Sequence, residues 1–150
     1  MRVRRLTTVL ASVPLGLALG VGTAALMPQE AQAAGAPCGK TAKACLDLSA
    51  NQAWLMNNGA VTYGPVPVTH GKPGYATPPG TFKVTWKDID HKSSEFGGAP
   101  MPYSVFFNGG IAFHQGSLTQ KSHGCVHLSK PAAQKFYNTL RNGDVVQVVR

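Results

Sequence analysis

KSHGCVHLS, residues 121–129, crowds His123, Cys125 and His127 into five positions and ends on a residue suited to cap a helix. A thiol among imidazoles permits two chemistries. In one, imidazole takes the thiol proton and the thiolate attacks a carbonyl carbon; in the other, thiolate and ring nitrogens hold a metal ion. Three alternate residues on a strand share a face but converge poorly on one ion, and no second cysteine or acid lies nearby. That spacing disfavours zinc, and neither a metal nor a cofactor is expected. Gly124 lets the backbone turn tightly and lets a substrate approach Cys125. Successive N–H groups around it can face a developing oxyanion, where one donor is worth roughly 2.7–4 kcal/mol. An inert buried thiol is the plainer alternative.

Downstream, Ser129 suits an N-cap, Pro131 a first turn, and Ala133, Phe136, Tyr137 and Leu140 recur at helical spacing. One α-helix near the C-terminus follows, with Gly143 as its stop and a last strand over 145–149. Upstream, short strands are predicted over 45–48 and 52–56, with Asn57-Asn58-Gly59 closing a hairpin and 60–68 continuing the meander. Pro65 and Pro67 lack backbone donors and place that stretch at an edge. Residues 71–80 read as loop. Period-two alternation over 81–86 predicts one half-buried strand, and 88–102 reads as a polar surface loop or flap. Strands over 103–107 and 111–113 flank Asn108-Gly109-Gly110, the second delivering His114. Trp54 and Trp86 are expected in the core, and His70 and His91 in solvated loops. The fold class is mainly β with one clear helix.

The chain has 150 residues and a formal net charge of +8. Residues 1–33 carry a basic head, an apolar stretch weakened by Pro14, Gly16, Gly20 and Gly22, and an Ala31-Gln32-Ala33 cleavage pattern, which reads as a secretory signal peptide rather than a membrane anchor. Arg4-Arg5 is a weak hint of twin-arginine export. Removing three Arg and one Glu with that segment leaves residues 34–150 as one domain of net charge +6. The remaining cations are scattered along the sequence, without the clustered basic and aromatic platform of a nucleic-acid surface; attraction to an anionic cell envelope accounts for them. Three cysteines cannot all pair within one exported chain. Six residues separate Cys38 from Cys45, a ring a tight loop can close for roughly 2–3 kcal/mol, leaving Cys125 unpaired.

His114-Gln115-Gly116, Ser122-His123-Gly124-Cys125-Val126-His127, Ala76-Thr77-Pro78-Pro79-Gly80-Thr81-Phe82 and Met101-Pro102-Tyr103 occur together. In that combination the chain resembles the L,D-transpeptidase catalytic-domain family of YkuD type, over about the whole of residues 34–150. The resemblance implies a β-sandwich or mixed-sheet fold and a secreted, wall-acting cysteine enzyme, expected as a monomer. Cys125 would be the nucleophile and His114 its base, oriented by the carbonyl of Gln115. Ser122 and His123 would order the turn, and amides of His123, Gly124 and Cys125 would form the oxyanion hole. Tyr103, Gln115 and His127 are candidate substrate contacts. The implied substrate is a peptidoglycan stem tetrapeptide, acylating Cys125 and then passing to a side-chain amine as a 3–3 cross-link. Water as acceptor would make a carboxypeptidase, and a wall-binding protein without turnover is the non-enzymatic alternative. Two departures from the family pattern stand out: a shorter connection from His114 to Ser122, and His127 where the family usually carries Arg or Asn.

Overall fold

Apolar alternation organises residues 35–150, the part of the chain that the computed structural model describes. The leader expected over 1–33 lies outside the described residues. The elements are β1 Ala44–Asp47, β2 Gln52–Asn57, β3 Ala60–Pro67, β4 Gly80–Lys83, β5 Trp86–Lys92, β6 Pro100–Asn108, β7 Ile111–Gln115, β8 Val126–Leu128, α1 Lys130–Thr139 and β9 Val145–Val149. They form one sheet in the order β3-β2-β1-β9-β4 and a second in the order β5-β6-β7-β8. Both are mixed: β1 runs parallel to β9 and β7 parallel to β8, and the other pairs are antiparallel. Pro65 and Pro67 sit on β3 at a sheet edge, where a missing donor breaks no ladder.

The core lies where the inward residues of both sheets meet α1. Leu46, Leu55, Val146 and Val148 approach from one sheet; Val105, Phe107, Phe113, Val126 and Leu128 approach from the other. Phe113 packs against Phe107 at 4.8 Å and Phe136 at 5.1 Å between ring centroids. Burying side chains of this size contributes about 1.5–3 kcal/mol each. Ser129 caps α1 by accepting from the Ala132 N–H, and Ala133 and Phe136 face inward from the helix. The helix ends at Thr139, ahead of the expected Gly143, because Leu140 turns to extended backbone while staying fully buried. Lys87 of β5 donates to the carbonyls of Tyr137 and Leu140 at 2.7 and 2.8 Å, satisfying acceptors that a helix end leaves open.

The sequence expectations need four corrections. The single strand over 81–86 is two strands in different sheets: the chain crosses at Val84, which is buried between them, so alternation continues unbroken through the switch. The polar stretch 88–102 is mostly hairpin, with β5 and the start of β6 enclosing only a 93–99 turn. Trp86 opens an edge strand and is 43% exposed, stacked on Phe106 at 4.2 Å. His91 lies on β5, bonded to Asp88 at 3.1 Å and packed against Trp86 and Phe106. In the far corner, Cys38 and Cys45 form a disulfide beside Ala42, Trp54 and Met56, covering the second face of β1.

Candidate active site

Parallel pairing needs a crossover, and the ten residues between β7 and β8 supply it. The register sets Phe113 beside Val126 and His114 beside His127. Side chains alternate across the sheet, so Phe113, Val126 and Leu128 enter the core while Ala112, His114, Cys125 and His127 share the outer face. One step further along the same register places Cys125 beside Ala112. Strand spacing of about 4.8 Å and a rise of about 3.3 Å per residue then put the Cys125 and His114 Cα atoms roughly 8 Å apart, a span their side chains can bridge. Both residues line the same cleft, of about 440 Å³.

Hydrogen bonds hold the Cys125 turn from three sides. Ser122 Oγ donates to the Cys125 carbonyl at 2.5 Å and accepts from the Gly124 N–H at 3.0 Å. Buried Thr77 donates to the Gly124 carbonyl at 2.6 Å and accepts from the Gly71 N–H at 3.0 Å. The Ser122 N–H bonds the His70 carbonyl, and the Ser122 carbonyl accepts from Lys72. Gly124 has φ +126°, and Ile111 side-chain carbons would stand 3.3–3.4 Å from any Cβ there, so glycine is required. With the Gly124 N–H taken by Ser122, the amides of His123 and Cys125 are the ones without a protein acceptor among the described residues. They are the donors available to an oxyanion.

His114 is 5% exposed, and its Nδ1 donates to the Gln115 carbonyl at 2.8 Å. A carbonyl only accepts, so Nδ1 carries the proton and Nε2 keeps a lone pair. Burial pulls the imidazolium pKa down from 6.5 to about 4, partly opposed by the Gln115 bond, with His127 and His91 adding smaller downward pushes. Burial also raises the Cys125 thiol, and Glu95 adds to this while a bond from the Ala112 backbone works against it. Both shifts favour a neutral thiol beside a neutral imidazole. The thiol points at the Gly110 carbonyl, 3.5 Å away, and makes no hydrogen bond to His114. With the thiol aimed at Gly110 and both groups favoured in their neutral forms, the two side chains form no ion pair here.

The family described as YkuD, L,D-transpeptidase catalytic domain, matches residues 41–148. The chain belongs to this family. Among solved structures, an L,D-transpeptidase (Yku) from Stackebrandtia nassauensis is similar at 31% identity and TM-score 0.70, over 81% of this chain and 62% of that one. An L,D-transpeptidase from Mycobacterium tuberculosis is similar at 25% identity and TM-score 0.65, over 70% of this chain and 56% of that one. L,D-transpeptidase 3 from the same organism, solved with a faropenem-derived adduct, is similar at 25% identity and TM-score 0.61, over 70% and 58%. This chain therefore spans about three fifths of the length of these relatives. A search of curated proteins gave no match.

In this L,D-transpeptidase domain the turn at 93–99 forms one wall of the cleft. Phe96 stacks on His123 at 4.3 Å, and Tyr75 meets the same ring edge-on at 4.7 Å, so His123 is clamped at the cleft mouth. Glu95 and Lys121 are the fully charged side chains lining the cleft. His127 also lines it; Nδ1 donates to the Ser117 carbonyl at 2.9 Å beside Thr69, and its ring meets His114 edge-on at 4.9 Å. Gln115 contributes its carbonyl. Tyr103 is not brought here: its hydroxyl accepts from Gln134 at 2.9 Å and its ring packs on Tyr137, on the helix side. Among the described residues, no group of three His, Cys, Asp or Glu side chains is placed to hold a metal ion. The Gly110 carbonyl is a contributor that sequence reasoning missed, because a main-chain acceptor leaves no trace in side-chain pattern.

Proposed function

We propose that this domain is an extracytoplasmic cysteine acyltransferase that joins peptidoglycan stem peptides by 3–3 cross-links. One observation carries the proposal: an unpaired cysteine and a histidine with a free Nε2 share one face of the β7–β8 pair and one cleft. Family membership supports the substrate class.

In the proposed first step the thiol proton passes to His114 Nε2 as sulfur bonds to the carbonyl carbon preceding the terminal D-Ala. The oxyanion takes hydrogen bonds from the His123 and Cys125 N–H groups. The C–N bond then breaks, His114 returns the proton to the departing amine, and a thioester remains on Cys125. An amine from a second stem attacks that thioester, gives its proton to His114, and the thiolate leaves and is reprotonated. Water in place of the amine gives the L,D-carboxypeptidase outcome. Mass spectrometry of the protein with a disaccharide-tetrapeptide tests the reading. The expected result is an adduct on Cys125 that is absent in Cys125→Ser and a cross-linked dimer in solution. No adduct under conditions where the protein stays folded would leave a binding protein without turnover.

A further inference from the structure

A second concavity, of about 500 Å³, lies between β1–β3 and the C-terminal end of α1, and it shares no lining residue with the Cys125 cleft. Lys43, Lys135 and Arg141 line it, drawn from the residue before β1, the helix and the turn before β9. Along the sequence these cations look scattered; the fold gathers them. Asp144 is the acid among its lining residues, and its carboxylate is already bonded to the Arg141 main-chain N–H at 2.8 Å. Among the described residues none of the three cations forms an ion pair; Lys43 donates to the neutral Asn57 side chain, and with Asp144 as the single carboxylate the lining keeps an excess of positive charge. Thr62 and Thr139 add hydroxyls to the wall. The negative end of α1 would oppose an anion. Lys87, however, already covers the carbonyls of Tyr137 and Leu140 and cancels much of that field.

We infer that this concavity is a second binding site, for oxyanion groups carried along a polymer, phosphate or carboxylate. Three converging cations with hydroxyl donors recognise such groups by charge-assisted hydrogen bonds, Arg141 with a planar fork and the lysines as point charges. Several weak contacts along one chain add up where a lone ion would exchange freely. The assignment of that polymer to the envelope rests on the extracytoplasmic reading above, whereas anion binding itself does not depend on Cys125.

Fluorescence anisotropy with labelled inorganic polyphosphate and labelled polyglutamate tests the site, comparing wild type, Lys43→Gln/Lys135→Gln/Arg141→Gln, and the charge-matched control Lys83→Gln/Lys92→Gln/Lys130→Gln. The expected result is salt-sensitive binding of at least one polymer that weakens tenfold or more in the first variant and less than threefold in the control. Polyphosphate alone would name phosphate, polyglutamate alone carboxylate, and both a general oxyanion site. Equal losses in the two variants, or no binding of either polymer by the folded wild type, would overturn the inference. Acylation of Cys125 measured on the same samples reads the catalytic proposal separately, because none of the six substituted residues lines its cleft.

Discussion

Sulfur is held in two opposite ways in this molecule. At the Cys38–Cys45 corner the disulfide is surrounded by apolar side chains, and Cys45 is fully buried beside Ala42, Trp54 and Met56. At Cys125 the sulfur is free, half-buried in a cleft, and held by the backbone of a turn that Ser122 and Thr77 fix through hydrogen bonds. The first arrangement constrains the chain and leaves the sulfur inert. The second packs one side of the sulfur against Met101, Phe106 and Ala112 and fixes its direction through the turn, which is what the proposed nucleophile needs.

The largest test of this contrast is Cys125→Ser. It should abolish acylation, by about 10⁴-fold or more, with the thermal midpoint moving by no more than a few degrees, as calorimetry would show. Loss of fold instead would mean that Cys125 is a packing residue like Cys45. Next comes acid. His114 has a folded pKa of about 4, below its unfolded 6.5, so in that window the unfolded chain binds the extra proton. Stability therefore falls as pH drops from 6.5 to 4, by roughly 3 kcal/mol from this group, and levels off below. Urea unfolding at pH 7 and pH 4 should show a stability difference that is smaller in His114→Gln by about that amount, the remainder coming from groups such as His70 that burial also shifts down. At the other corner, Cys38→Ala/Cys45→Ala should lower unfolding free energy by about 2–3 kcal/mol while leaving acylation within twofold. The smallest change is Gly116→Ala, whose Cβ would stand 2.6 Å from the His127 ring. Displacing that ring against His114 should slow acylation by about tenfold at a stability cost near 1 kcal/mol.

The hairpin at Asn57-Asn58-Gly59, the edge prolines, the helix cap at Ser129 and the disulfide were legible because each rests on local chemistry: a turn, a missing donor, a hydroxyl, a short ring. Cys125 and His114 stood out through their motifs, and the fold brings both to one cleft. The crossing at Val84 was not, because a residue buried between two sheets keeps the same alternation whichever sheet its neighbours join. Strand β8 is only three residues long, too short for any periodicity to register. Tyr103 looked like a cleft residue from its place before the His114 strand, but at φ +58° it breaks the strand's regular geometry, and its side chain packs against α1. The basic concavity was invisible for the same reason as the pairing of β7 with β8: its residues meet only after distant elements dock.

In the proposed reaction His114 takes the Cys125 proton during attack, from a pair that rests neutral. The most direct test of that step is the pH dependence of Cys125 acylation by a tetrapeptide, followed by intact-protein mass in wild type and His114→Gln. The prediction is a wild-type rate that rises with a midpoint near pH 4, stays flat through neutrality, and drops by about 10²-fold or more in the variant. A rate that climbs only in the alkaline range where a buried thiol ionises by itself, and is equal in the two proteins, would contradict it.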